Sequence, residues 1–370
     1  MSGRHLEDPR PQEEIRMADD RLEELREFAG RAMQYKQGEV VSLMMHVGDR
    51  LGLYKAMAGV GPLTATELAQ RSGLQERWLL EWLRNQAAAE IIAHRGGDRF
   101  ELTDVGAEAL TDENSTFHIA GWFFPPVDRS VIERMVEAFR TGIGLTWDDH
   151  GPDATHWLQR TTGPQHRALV SRVLPLMEGV VPRLEKGAKV VDIGCGAGEA
   201  VLAIAKAFPE SRIRGLDPSQ TAIDRARSRA KDAGLANVEF TVMAGEELPP
   251  SRDCDLITTL DCMHDMTHPE QCVRAVRAAL KEDGTWLIKD IRSASTFEEN
   301  RKNPMLAMMY GFSVTYCMSS ALSEPGGAGL GTLGFHPEVA RKMTSEGGFS
   351  HFRTLDYDED AFNSFYEVRP

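Results

Sequence analysis

The stretch VVDIGCGAGEA (190–200) constrains this chain more than any other. An apolar run of strand length enters a turn with glycines at 194, 196 and 198, and a helical pattern follows. With no Cβ in the way, such a turn lets the backbone approach a ligand closely. A dinucleotide fingerprint would place another glycine at the sixth position from Gly194, but that position is Glu199. A carboxylate there repels a diphosphate, and Asp192 adds negative charge. The expected ligand therefore carries positive charge near the turn.

The surrounding pattern sets the fold class. KVVDI, RIRGLD, VEFTV, DLITTL and TWLIKDI are apolar runs separated by helical segments such as EAVLAIAKAF. This alternation predicts an α/β domain with a parallel sheet covered on both faces. FRTLDY and AFNSFYEVR are two further strand candidates.

The N-terminal half reads differently. From Asp20 to about Ala58, Val40, Met44, Val47 and Leu51 draw one helical stripe. GVGP (59–62) breaks it. Thr64 and Glu67 fit a capping box. A second helix is expected over Leu74–Ala89, and IIAH and RFELT flank RGGD as a hairpin. Helix, turn, helix and hairpin make a winged-helix pattern. The expected organisation is a mobile tail at 1–18, a winged-helix domain at 19–115, a helical connector and pocket cap at 116–183, and the α/β domain at 184–370.

Charge bears on partners. The chain has a net charge of −14. Between Thr64 and Leu110, eight acids face five bases. Phosphate contacts need cations, so neither a nucleic-acid nor a membrane partner is expected. The apolar faces of the winged helix are instead expected to bury against a second subunit. The N-terminus has no apolar core of a signal peptide, no run is long enough to span a membrane, and five cysteines lack any C-x-x-C pair. These features fit a cytoplasmic protein.

S-adenosylmethionine meets the ligand requirement, with an ammonium, a sulfonium and no phosphate. Asp192, Gly194, Cys195, Gly196 and Gly198 are expected around its methionine part. Asp217 ends the second strand, where a carboxylate can accept from both ribose hydroxyls, and Pro218 follows it. Gly245 and Glu246, after the third strand, are candidates for the adenine edge. Residues 185–292 resemble a class I S-adenosylmethionine-dependent methyltransferase. From about residue 38 the chain resembles bacterial and mycobacterial winged-helix methyltransferases, through VGDRLGLYKAMAG, EWLRNQAAAE, AFRTGIGLTWDDHG, DCMHDMTHP and LSEPGGAGLGTLG. The resemblance implies a seven-stranded Rossmann-like sheet and a winged-helix domain that forms a homodimer.

DCMHDMTHPE (261–270) follows the fourth strand, at the edge where ligands bind in open α/β sheets. Asp261 and Cys262 are expected near the cofactor. His264 and Asp265 resemble the HD of the HDW segment in plant small-molecule O-methyltransferases, where the histidine is the base; Met266 replaces the tryptophan. Asp290 stands where that group has an acidic residue that orients the histidine. Three roles stay open for His264: base, structural histidine, or part of a metal site with Asp261 and Asp290, as in catechol-type methyltransferases. Ile291 occupies the place of the third oxygen ligand, so no metal is expected. His268 reads as a helix-entry residue. On the acceptor side, Trp122, Trp147, Tyr310, Tyr316 and His336 are candidates.

The expected activity is methyl transfer to a small molecule, first to oxygen. S-methylation of a thioether acid, as with methylthio-hydroxybutyrate in dimethylsulfoniopropionate synthesis, is the chemical alternative. A ligand-sensing DNA-binding regulator is the alternative from another class.

Overall fold

The structure of the chain, a computed structural model, describes residues 10–370. It divides into two units, one ending at Thr111 and taking in 123–125, the other comprising 112–122 and 126–370. The expected tail lies outside the described residues over 1–9, and its remainder is helical.

The first unit contains α1 (Arg10–Arg50), α2 (Leu53–Met57), α3 (Ala65–Ser72), α4 (Glu76–Ala88), the antiparallel pair β1 (Ala93–His94) and β2 (Phe100–Glu101), and α5 (Asp104–Thr111). The capping box forms at α3. Thr64 Oγ1 accepts from the Glu67 amide at 3.2 Å, and Glu67 Oε2 accepts from the Thr64 amide at 2.7 Å. Leu53, Met57, Leu63, Leu68, Leu83 and Phe100 fill the core. Polar groups in it are partnered: Tyr54 Oη donates to Gln86 at 2.6 Å, and Trp82 Nε1 donates to the Met44 carbonyl at 2.9 Å. The helix expected to run to about Ala58 breaks after Arg50, and on α1 Met45 and Gly48 are buried whereas Val40 is exposed. The Trp82 ring packs directly over Gly48 and sets that face.

The second unit contains α6 (Arg129–Thr141), α7 (Pro152–Ala168), α8 (Val180–Glu185), β3 (Lys189–Ile193), α9 (Glu199–Ala207), β4 (Arg212–Asp217), α10 (Gln220–Asp232), β5 (Val238–Val242), β6 (Cys254–Leu260), α11 (Pro269–Ala279) and β7 (Leu280–Ile291). It continues with α12 (Phe297–Asn300), α13 (Leu306–Phe312), α14 (Met318–Ala321), α15 (Pro337–Glu346), β8 (His351–Thr354) and β9 (Asn363–Arg369). Its seven-stranded sheet runs β5-β4-β3-β6-β7-β9-β8. The first five are parallel, and β9 is antiparallel to both β7 and β8. All seven strand candidates of this domain form.

Every residue of β6 is buried. Such a strand needs cover on both faces, and two apolar clusters supply it. One joins Val201, Ile204, Ile223 and Leu256; the other joins Val273, Val276, Ile257 and Trp286. Chain order reverses at β3, with β4 and β5 on one side and β6 and β7 on the other. The crevice at the carboxyl ends of these strands is the binding edge of such a sheet.

Trp286 is fully buried and donates Nε1 to Thr259 Oγ1 at 3.0 Å. Trp286→Ala is expected to destabilise the second unit by about 3–5 kcal/mol, through the cavity and the lost partner for Thr259. Urea unfolding followed by circular dichroism measures this.

Candidate active site

At the end of β3 the backbone turns through Gly194 and Gly196, at φ of +69° and +52°. A Cβ on Gly194 would lie 2.7 Å from Cys262 Cβ, so this glycine permits packing beneath the turn. A Cβ on Gly196 would meet nothing within 4 Å, so this face of the turn is open for a ligand. Cys195 is buried below it, with its amide donating to the Leu216 carbonyl at 2.9 Å.

Two carboxylates flank the turn. Asp192 is buried and accepts from Thr258 Oγ1 at 2.6 Å. Burial pushes its pKa up to about 7; Thr258 opposes the shift and nearby Asp217 adds to it. Asp217 accepts from the amides of Gly196 at 2.8 Å and Ser219 at 2.9 Å. Burial pushes it up to about 6 despite those amides. Among the described residues, neither carboxylate forms an ion pair. Pro218 is exposed beside Asp217.

Glu199 is not the uncompensated charge that its place in the sequence predicts. Its carboxylate is buried between Arg167 and Arg229, and Arg229 also donates to the Ala197 carbonyl at 2.7 Å. Two guanidiniums compensate it, so it leaves no free negative charge to repel a diphosphate. The demand for a cationic ligand comes from Asp192 and Asp217 instead. These residues fit S-adenosylmethionine: an open glycine face, two carboxylates lacking cations, and a short turn after β5. In that turn Gly245 is buried against Ile193 and Cys272, and Glu246 is partly exposed. Glu247 closes the turn by accepting from the Ala244 amide at 3.0 Å.

The end of β6 is built on β7. Successive side chains of a strand point to opposite faces, so Lys289 and Asp290 diverge. Lys289 reaches Asp261, which also accepts from Asn363 and lies 3.7 Å from His166 Nε2. Asp261 has a left-handed backbone, at φ +59°, fixed by its amide donating to the Lys289 carbonyl at 2.7 Å. Burial alone would raise the Asp261 pKa, but Lys289 and His166 hold it well below the usual carboxylate range. Cys262 is buried, with its thiol 3.2 Å from the Ile193 carbonyl.

On the opposite face, His264 Nδ1 lies 2.7 Å from Asp290 Oδ1, and both residues are almost fully buried. Asp290 Oδ1 also accepts from the Ile291 amide at 2.7 Å. Burial disfavours the imidazolium, but Asp290, with the Cys317 thiol beside it, outweighs burial and holds the His264 pKa well above its ordinary value. Asp261 and Asp290 are thus engaged by side chains of the protein. Among the described residues, no group of three or more His, Cys, Asp or Glu is arranged to hold a metal ion. His268 precedes α11 and pairs with Glu324 at 3.2 Å, as a helix-entry residue.

An aromatic cluster adjoins this pair. Trp147 Nε1 donates to Asp265 Oδ2 at 2.7 Å, and its ring stacks on Tyr316 with centroids 5.5 Å apart. Trp157 meets Tyr316 edge-on at 5.4 Å. Phe312 links Tyr316 to Trp122, at 6.1 Å from each. Three acceptor-side candidates, Trp122, Trp147 and Tyr316, therefore come together. Tyr310 does not join them; it is exposed and packs on Phe297. Tyr310 lies in α13, whereas Tyr316 lies within a π-helical turn over Ser313–Cys317 that follows it and breaks the helical period. His336 stands at the N-cap of α15, outside the cluster. Sequence reasoning missed His150, Trp157, His166 and Asn363. The run TWDDHGPDATHW contains two of them, but its spacing does not say which rings turn inward.

The loop at 322–335 closes over His264. The Gly331 amide donates to the His264 carbonyl at 3.0 Å, and the Ala328 amide donates to the Thr267 carbonyl at 3.0 Å.

Residues 184–324 match the family described as a methyltransferase domain, and residues 39–112 match the Rv2258c-like winged HTH domain. The chain is 27% identical over 277 residues to the mitomycin biosynthesis 6-O-methyltransferase of Streptomyces lavendulae, covering 69% of this chain and 75% of the relative. It is 25% identical over 251 residues to indolepyruvate C-methyltransferase of Streptomyces griseus, covering 65% and 69%. The structure of human N-acetylserotonin methyltransferase in complex with SAM superposes with a TM-score of 0.66 at 16% identity, over 92% of this chain and 97% of that one, a likeness of fold. With the glycine turn and its two carboxylates, these matches identify the chain as an S-adenosylmethionine-dependent methyltransferase, with a class I methyltransferase domain and an N-terminal winged-helix domain.

Proposed function

We propose that the enzyme methylates a hydroxyl group of a small molecule, with His264 as general base and Asp290 orienting it. The buried 2.7 Å pair between them, at the carboxyl edge of the sheet and beside an aromatic cluster, carries this reading. S-adenosylmethionine supplies a methyl group already activated by its sulfonium. Asp192, Gly194, Cys195, Gly196 and Gly198 hold its methionine part, with Asp261 and Cys262 supporting that end. Asp217 and Pro218 take the ribose, and Gly245 and Glu246 the adenine edge. Donation of Nδ1–H to Asp290 leaves His264 Nε2 to accept the hydroxyl proton.

Likeness to the mitomycin 6-O-methyltransferase supports oxygen as the acceptor atom. Likeness to indolepyruvate C-methyltransferase favours a second reading, an enolisable carbon acid whose proton the same base removes. The thioether alternative is not favoured: a thioether needs no base, and an imidazolium nearby would repel the sulfonium product. The regulator alternative is not favoured either, because α4 carries Glu76 and Glu81 beside an Arg77 that pairs with Glu81 at 2.6 Å.

The base has a readable pH signature. Only neutral His264 can take a proton, and Asp290 holds its pKa above the ordinary value. The rising limb of kcat/KM is therefore expected above pH 6.5. Asp290→Asn moves that limb to lower pH, and His264→Ala lowers kcat about 10²–10⁴-fold. The assay is S-adenosylhomocysteine release across a panel of phenols, hydroxy acids, thioethers and amines.

The two glycines separate folding from binding. Gly196→Ala is expected to fold, at a cost of about 1–2 kcal/mol for its left-handed backbone, and to lose most cofactor affinity in calorimetry. Gly194→Ala drives a Cβ into Cys262 and is expected to lower the melting temperature more.

A homodimer through the N-terminal unit is part of the same reading. Leu22, Leu25, Phe28, Met33, Val40 and Leu43 are exposed along α1. Most of them fall on one helical stripe, the arrangement of a buried helix–helix contact. Leu25→Glu combined with Phe28→Glu is expected to convert a dimer into a monomer in light scattering. We place the enzyme in the cytoplasm, a reading supported by five cysteines standing as free thiols. No helix among the described residues is long and apolar enough to cross a membrane.

A further inference from the structure

The aromatic cluster contains a histidine with no part in the reading above. His150 ends the short turn Trp147–His150. Its neighbours pin that turn on three sides. Asp149 Oδ2 accepts from the Thr146 amide and hydroxyl, each at 2.9 Å, and Asp149 pairs with Arg134 at 2.8 Å. Asp148 Oδ1 accepts from Ser219 Oγ at 2.5 Å, beside the end of β4. Trp147 is tied to Asp265, the residue after His264.

None of these bonds involves the His150 imidazole. Its ring centroid lies 4.6 Å from that of Tyr316 and 6.4 Å from that of Trp147. Its Nε2 is buried and, among the described residues, has no hydrogen-bond partner. Buried polar atoms are almost always partnered, and the exceptions point to function. A pinned turn thus holds an unpartnered polar nitrogen beside the rings of Tyr316 and Trp147, and the Trp147 indole is bonded to the residue after His264. Apolar pockets with a few placed polar groups are how small-molecule sites fix orientation.

We propose that His150 Nε2 is the polar anchor of the acceptor, hydrogen-bonding a ring-borne oxygen of a planar aromatic molecule laid against Trp147, Trp157 and Tyr316. The inference rests on the methyltransferase reading of the neighbouring His264 site. The two histidines are tuned in opposite directions. Burial lowers the His150 pKa, with Arg134 adding to the shift and Asp149 opposing it, whereas Asp290 raises that of His264. A neutral imidazole can meet either a donor or an acceptor on the substrate. His264 moves the proton, and His150 sets which ring enters and how it lies.

The test uses 4-nitrophenol as probe, titrated calorimetrically into the full chain saturated with S-adenosylhomocysteine. His150→Phe keeps a ring but removes the nitrogen, and is expected to weaken 4-nitrophenol binding about tenfold, the size of one lost hydrogen bond. His150→Gln restores a polar atom and is expected to recover most of that loss. S-adenosylhomocysteine affinity stays unchanged in both variants. The proposal is overturned if His150→Phe binds the probe as wild type does, or if His150→Gln is as weak as His150→Phe. It is also overturned if the wild type binds S-adenosylhomocysteine but not 4-nitrophenol. Failure of the wild type to bind S-adenosylhomocysteine would instead overturn the cofactor site, and this inference with it.

Discussion

Five aspartates crowd the carboxyl edge of one sheet: Asp192, Asp217, Asp261, Asp265 and Asp290. Like charges held this close must each find a cation, a donor or a proton. Asp261 has Lys289, and Asp290 has His264. Asp265 has the Trp147 indole, and burial still pushes it up to about 7. Among the described residues, Asp192 and Asp217 have only a hydroxyl and backbone amides. They flank the open face of Gly196, where a ligand with positive charge and hydroxyl donors would supply what the protein does not. We propose that this imbalance, more than the glycine spacing alone, selects the cofactor.

The fold distributes these charges through the alternation of β7. Lys289 on one face and Asp290 on the other give β6 and its loop a cation on one side and an anion on the other. The first pair steadies the strained Asp261 backbone near the glycine turn. The second holds His264, the base we propose for the acceptor. A slip of one residue in the β6–β7 register would exchange the two faces and misplace both pairs. The buried Trp286, hydrogen-bonded to Thr259 and packed at a tilt against Phe349, helps fix that register.

Much of this was legible in the sequence because it is local. The strand-ending carboxylates, the glycine turn, the capping box at Thr64 and the HD pair all lie within short windows whose periodicity gives their direction. What was not legible depends on distant segments. Asn363 meets Asp261 and Trp147 meets Asp265 only after the whole domain closes. Arg167 and Arg229 neutralise Glu199 from two other helices, so its charge, read from sequence as uncompensated, is balanced. That Tyr310 is exposed while Tyr316 is buried was not legible either, because a π-helical turn over Ser313–Cys317 breaks the 3.6-residue period. Which face of α1 turns inward was not legible, because it follows the packing of Trp82 on Gly48.

If Asp192 and Asp217 hold the cofactor, binding and protonation are linked. Their pKa values stand near 7 and 6 in the free protein, and a cationic, hydrogen-bonding ligand favours their ionised forms. Binding must then release protons wherever these groups are partly protonated. Calorimetric titration of S-adenosylmethionine between about pH 5.5 and 7, in buffers of differing ionisation enthalpy, measures this directly, below the range where an α-amino group itself titrates. The account predicts proton release and an affinity that rises with pH across this range. An affinity that is flat or falls, with no protons released, would contradict it.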